Sequence, residues 1–130
     1  MSHVVKMTFP ITDLDALEVA AREVGCELVR GQKTHRYYRD MRGNCEHAIR
    51  VTGNNAAYEI GLVRSGDGQH WELQADFYQG GKGLRAAVGE GCVKLHQHYN
   101  AELAARDRRA HGYRVNKQFV DGRVVIRATK

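Results

Sequence analysis

An α+β fold, with two helices packed on one face of a mostly antiparallel sheet, is what three features of this chain predict. Tyr58, Ile60 and Leu62 alternate along one segment, Ser65-Gly66-Asp67-Gly68 turns it, and Trp71, Leu73, Ala75 and Phe77 alternate along the next, the pattern of a hairpin with one buried face. Two other stretches repeat their apolar residues at steps of three and four, as one face of a helix requires: Leu14, Leu17, Ala20, Ala21, Val24, and Leu84, Val88, Cys92, Leu95, Tyr99, Leu103. A second hairpin, turning at Asp121-Gly122, ends the sequence. The predicted order is β-α-β-β-β-β-α-β-β in one domain of residues 1–130, a length that buries a sizeable core without help from a metal or disulfide.

Element by element, a strand is expected from about His3 to Phe9, closed by Pro10, which has no N–H for a ladder. Thr12 or Asp13 caps the first helix, and Gly25 stops it. Glu27–Arg30 and Thr34–Arg39 read as an edge hairpin around Gly31-Gln32-Lys33, and Met41–Cys45 as a loop. His47–Val51 is a further strand, and Gly53-Asn54-Asn55 a turn. In the central hairpin the row His70, Glu72, Gln74, Asp76 and Tyr78 is expected to face water. Gln79-Gly80-Gly81-Lys82-Gly83 is a joint leading into a long helix from Leu84 to about His111. Gly89 and Gly91 each cost that helix about 1 kcal/mol relative to alanine, which points to close packing against them or to a helix that begins only after Gly91. Gly112 stops it, and in the last hairpin Phe119 pairs with Val124 on a common face.

Hydrophobic residues make up 42% of the chain and charged residues 27%, and no apolar run is long enough to cross a bilayer. No secretory leader pattern precedes the first strand, and Cys26, Cys45 and Cys92 form an odd, widely spaced set, so reduced thiols in the cytoplasm are expected. The net charge of +5 is uneven. Gly81 to Lys130 carries eleven lysines and arginines against four acids, whereas residues 1–80 carry nine against eleven. An anionic partner for the C-terminal part follows from that asymmetry.

Met1-Ser2-His3-Val4-Val5, Asp76-Phe77-Tyr78, the helix end at Ala105–Gly112 followed by Tyr113-Arg114-Val115, and Asp121-Gly122-Arg123-Val124-Val125-Ile126 resemble the family of hypothetical chloroplast open reading frame thirty-five, a domain of unknown function with members in algal plastids, cyanobacteria, other bacteria and phages. The similarity spans both ends and the middle, with no clear correspondence between Gly31 and Val51. The resemblance implies a small soluble protein and carries over no catalytic residue.

Three functional classes fit the side chains. The first is a non-catalytic accessory module that binds an acidic protein partner, or a second copy of itself, through Arg85, Arg106, Arg108, Arg109, Arg114, Arg123 and Arg127. The second is single-strand or RNA binding, with Tyr37 and Tyr38 stacking on bases beside Arg36, Arg39, Arg42 and Arg50. Against it, arginines at a helix C-terminus suit the helix dipole without any ligand. The third is a zinc site or a cysteine-dependent enzyme. Cys92 and His96 lie four apart on the long helix and Cys45 and His47 two apart on a strand, a donor set that zinc accepts, but without a Cys-x2-Cys knuckle. Nothing marks a cysteine as an activated nucleophile, the Gly80-Gly81-Lys82-Gly83 joint lacks the spacing of a phosphate loop, and no cofactor is implied.

Overall fold

Leu28, Ile49 and Ile60 stand side by side across three neighbouring strands, and Leu62 and Leu73 form the next row. Such rows arise because strand residues two apart share a face, and pairing in register lines the faces up. The computed structural model describes residues 4–130. His3, where the first strand was expected to begin, and the Met1-Ser2 before it lie outside the described residues. In chain order the elements are β1 (Val4–Lys6), α1 (Leu14–Glu23), β2 (Cys26–Arg30), β3 (Thr34–Tyr37), β4 (Met41–Asn44), β5 (His47–Val51), β6 (Ile60–Arg64), β7 (Trp71–Asp76), α2 (Leu84–Val88), α3 (Val93–Ala110), β8 (Arg114–Val120) and β9 (Arg123–Thr129). Five strands form an antiparallel sheet in the order β1-β7-β6-β5-β2, and β3-β4 and β8-β9 form separate two-stranded sheets. The class is the expected α+β, but six strands, β2 to β7, stand between α1 and α2 where the expected order had four. No helix is long and apolar enough to cross a membrane.

The helices cover one face of the large sheet. Ala16, Leu17, Ala20 and Ala21 of α1 are fully buried, and small residues there let the helix lie close to the strands. Asp13 caps α1 through Oδ1, which accepts from Ala16 N–H at 3.0 Å. The Tyr99 hydroxyl on α3 accepts from the N–H groups of Thr12 and Asp13, tying the two helices together where α1 begins. The expected long helix is divided. Gly89 (φ 84°) and Cys92 (φ 63°) leave the right-handed region, and a Cβ on Gly89 would lie 2.8 Å from Lys94 N, so the glycine marks both a break and a close approach. The apolar stripe survives, because Leu84, Val88, Cys92, Leu95 and Tyr99 are all buried in the same cluster as α1.

The opposite face of the sheet corrects several expectations. β3 does not pair with β2. It pairs with β4, the segment read as a loop, while β2 pairs with β5. The β3-β4 ribbon lies over β6 through His35, which is buried in a slot between two glycines. A Cβ on Gly43 would come to 2.5 Å from His35 Nε2, and one on Gly61 would run into the imidazole ring. Burial holds the His35 pKa below the usual histidine value despite the opposing pull of Glu59. Asp76, expected in water, is fully buried, because the chain turns back over it. Its Oδ1 accepts from Tyr78 N–H at 2.8 Å, its Oδ2 has no partner among the described residues, and Gly81 packs against its backbone.

Candidate binding face of the C-terminal hairpin

Gly112 (φ 86°) ends α3 with N–H donated to the Arg109 carbonyl, and Tyr113 N–H returns to the Arg108 carbonyl, so the chain leaves the helix at a sharp angle and enters β8. At the far end Asp121 (φ 51°) and Gly122 (φ 75°) both take left-handed conformations, those of a two-residue turn whose twist matches its strands. The register runs from Arg114 opposite Thr129 to Val120 opposite Arg123 and includes the expected pair of Phe119 with Val124. Strand alternation then divides the side chains. Val115, Lys117, Phe119, Val124, Ile126 and Ala128 take one face, and Arg114, Asn116, Gln118, Val120, Arg123, Val125, Arg127 and Thr129 the other.

The inner face is held by charge. Lys117, only 11% exposed, has its ammonium 2.9 Å from Glu23 Oε2 on α1 and in contact with Glu102 Oε1 on α3. Glu102 also accepts from Arg106 Nε at 2.8 Å, with Arg109 Nη1 at 3.9 Å, and Arg106 reaches Asp13 at 3.7 Å. Burial alone would raise the Glu102 pKa, but hydrogen bonds from Arg106 and Lys117 and their charges outweigh it and hold the carboxyl below its ordinary value. His98 Nδ1 lies 3.0 Å from Glu23 Oε1, and its ring stacks on Phe119 with centroids 5.4 Å apart. Beside β9, an open groove of about 460 Å³ is lined by Gln97, Asn100 and Ala101 of α3 and by Arg123, Val124 and Ile126.

The seven arginines expected to form one surface are sorted by this geometry. By strand phase Arg114, Arg123 and Arg127 fall on the outer face, with Arg123, beside the turn, also lining the groove, and neither they nor Arg108 meet a carboxylate among the described residues. Arg106 and Arg109 are drawn to Glu102, and Arg85, on α2, is 3.5 Å from Glu90. Val120 and Val125 are exposed on the outer face, and Phe119 is 60% exposed at the hairpin tip.

The basic and aromatic stretch is differently engaged. Arg36 donates to the carbonyls of Asn55 and Ala57, Arg42 lies 3.8 Å from Glu59, and Arg50 pairs with Glu27 at 2.6 Å. Tyr38 meets Tyr78 edge-on and packs on the core with Arg39 over its ring, and Tyr37 lies beside His35. The four zinc candidates are spread apart. Cys92 is fully buried with its pKa pushed up to about 12 by burial, Cys45 Sγ faces the Gln32 carbonyl, His47 Nδ1 accepts from Gly31 N–H, and His96 stacks on Phe9. No group of three metal-ligating residues gathers among the described residues.

Sequence reasoning did not bring Glu23, His98, Glu102 and Lys117 together. Two signals were present: Glu102 and Arg106 are four apart on a helix, and Lys117 sits in phase with Val115 and Phe119, hence inward. No protein-family model, curated protein or solved structure matches this chain.

Proposed function

We propose that the chain is a non-catalytic accessory module that binds an acidic protein surface through the outer face of the β8-β9 hairpin. One observation carries this reading: Arg114, Arg123 and Arg127 lie on one strand face, without a carboxylate partner among the described residues, next to exposed Val120 and Val125. A guanidinium with no internal partner is open to bidentate bonds with a carboxylate, and apolar side chains beside it favour a protein surface over a phosphate backbone. Nucleic-acid binding is less well supported, because Arg36, Arg42 and Arg50 already bond within the chain and Tyr38 packs on the core. Three free thiols fit a reducing cytoplasm. Kinship with the family of hypothetical chloroplast open reading frame thirty-five is proposed on its motifs alone. In one of them Asp76 bonds the backbone of Tyr78, which gives that pair a turn-forming purpose.

Affinity capture from a cell lysate, with and without nuclease, tests the reading. The parent chain is expected to retain an acidic protein that resists nuclease, and a variant with Arg114→Ser, Arg123→Ser and Arg127→Ser to lose it. Capture that vanishes with nuclease transfers the function to nucleic acid. Equal capture by the triple variant removes the hairpin from it.

A further inference from the structure

Resting on that reading, we infer how the partner is held: as an extended acidic segment that adds to the open edge of β9 as a third strand. The sheet β8-β9 has two strands, so among the described residues the far edge of β9 pairs with nothing. With a two-residue turn, Val120 and Arg123, Gln118 and Val125, and Asn116 and Arg127 are the hydrogen-bonded pairs, which directs the N–H and C=O groups of Val124, Ile126 and Ala128 away from β8. Such an edge is a template for another strand.

The surroundings of that edge specify what fits. The groove between α3 and β9 is lined by β9 residues and by none from β8, so it runs along the open side. A strand laid there drops every second side chain into it, against Val124, Ile126 and Ala101, with the Gln97 and Asn100 amides at its wall. Its other side chains fall on the outer face, opposite Arg123, Val125 and Arg127. The matching segment therefore reads acid-x-apolar-x-acid, with x small or β-branched and turned to the groove. A second copy of β9 is the poorer occupant, because it would gather the Arg123 and Arg127 of both copies on one face, and like charges across strands repel.

The test is a titration of the full chain with a capped, fluorescent peptide containing Glu-Thr-Val-Thr-Glu, read by polarisation. Two comparators are used, one with the order Glu-Glu-Thr-Val-Thr and one with both threonine nitrogens methylated. Methylation removes the two edge donors and leaves both charges, so strand addition predicts a loss of at least about tenfold, and the reordered peptide, whose acids point to opposite faces, a similar loss. Replacing Arg123 and Arg127 together by Ser is expected to weaken binding by about tenfold or more, while Arg114→Ser, on the distant strand, changes it by less than about threefold. Equal affinity for the methylated and parent peptides overturns strand addition and leaves the acidic-partner reading intact, as does absence of peptide binding when the lysate partner is still captured. Self-association of the free chain that the peptide competes away assigns the edge to a second copy and also overturns the proposal.

Discussion

Lys117 and Arg127 belong to the same small hairpin and carry the same charge, yet their circumstances are opposite. Lys117 is enclosed by two carboxylates from two different helices, and Arg127 stands on the outer face without one among the described residues. One residue of strand phase makes the difference. The excess of positive charge at this end of the chain is thus two populations, one that fastens the hairpin to the helices and one left without a carboxylate among the described residues. A buried cation between acids is expensive to break up, because removing it strands two carboxylates away from water. An exposed arginine contributes little to folding and can be replaced freely.

The largest expected effect comes from attacking the inner population. Lys117→Met keeps the length of the side chain and removes its charge, and is expected to cost about 3 kcal/mol in denaturant melts, with faster hydrogen exchange across β8 and β9. Adding Glu23→Gln to that variant should recover part of the loss, since one of the two stranded charges is then gone.

A smaller effect of the same origin should appear with acid. The Glu102 carboxyl is held below its ordinary value of 4.5 in the folded chain, so the unfolded chain takes up the proton first. Its contribution to stability is complete above that ordinary value and is lost as pH falls through it toward the lower folded value. Stability measured against pH should decline over that window in the parent and decline less in Glu102→Gln, which is less stable at neutral pH. A parallel acid decline in the two proteins would mean that the cluster does not fasten the hairpin.

The smallest effect on folding sharpens the contrast. Replacing Arg114, Arg123 and Arg127 together by Ser is expected to move stability by no more than about 0.5 kcal/mol per site in the same melts. The outer arginines would then be separable from the fold. A loss as large as that of Lys117→Met would show that both populations are structural.

Much of the architecture was readable in local patterns. The α1 stripe, the rows of β6 and β7, and the Asp121-Gly122 turn all follow from the period of two or 3.6 residues and from glycine's access to left-handed backbone. Errors came where a distant segment changes what a residue faces. Asp76 has the phase of a water-facing residue but lies under the turn that follows it, and Met41–Asn44 has a loop's composition but gains a partner in β3. Gly61 drew no reading from the letters, although its missing side chain is what admits His35. The candidate face was half legible. The cluster of arginines was plain, but which of them are spent internally was not.

Alternation, periodicity and the placement of glycines act over a few residues, and for that reason the letters alone sufficed to settle α1, the β6-β7 pair and the register of the last hairpin, but not β4, the break between α2 and α3, or which arginines stay unpaired. Lys117 and Glu23 are 94 residues apart in the chain and 2.9 Å apart in space. Whether a charge is neutralised depends on distance and on exclusion of water, neither of which grows with separation along the backbone, so only the folded arrangement of α1, α3 and β8 could decide it.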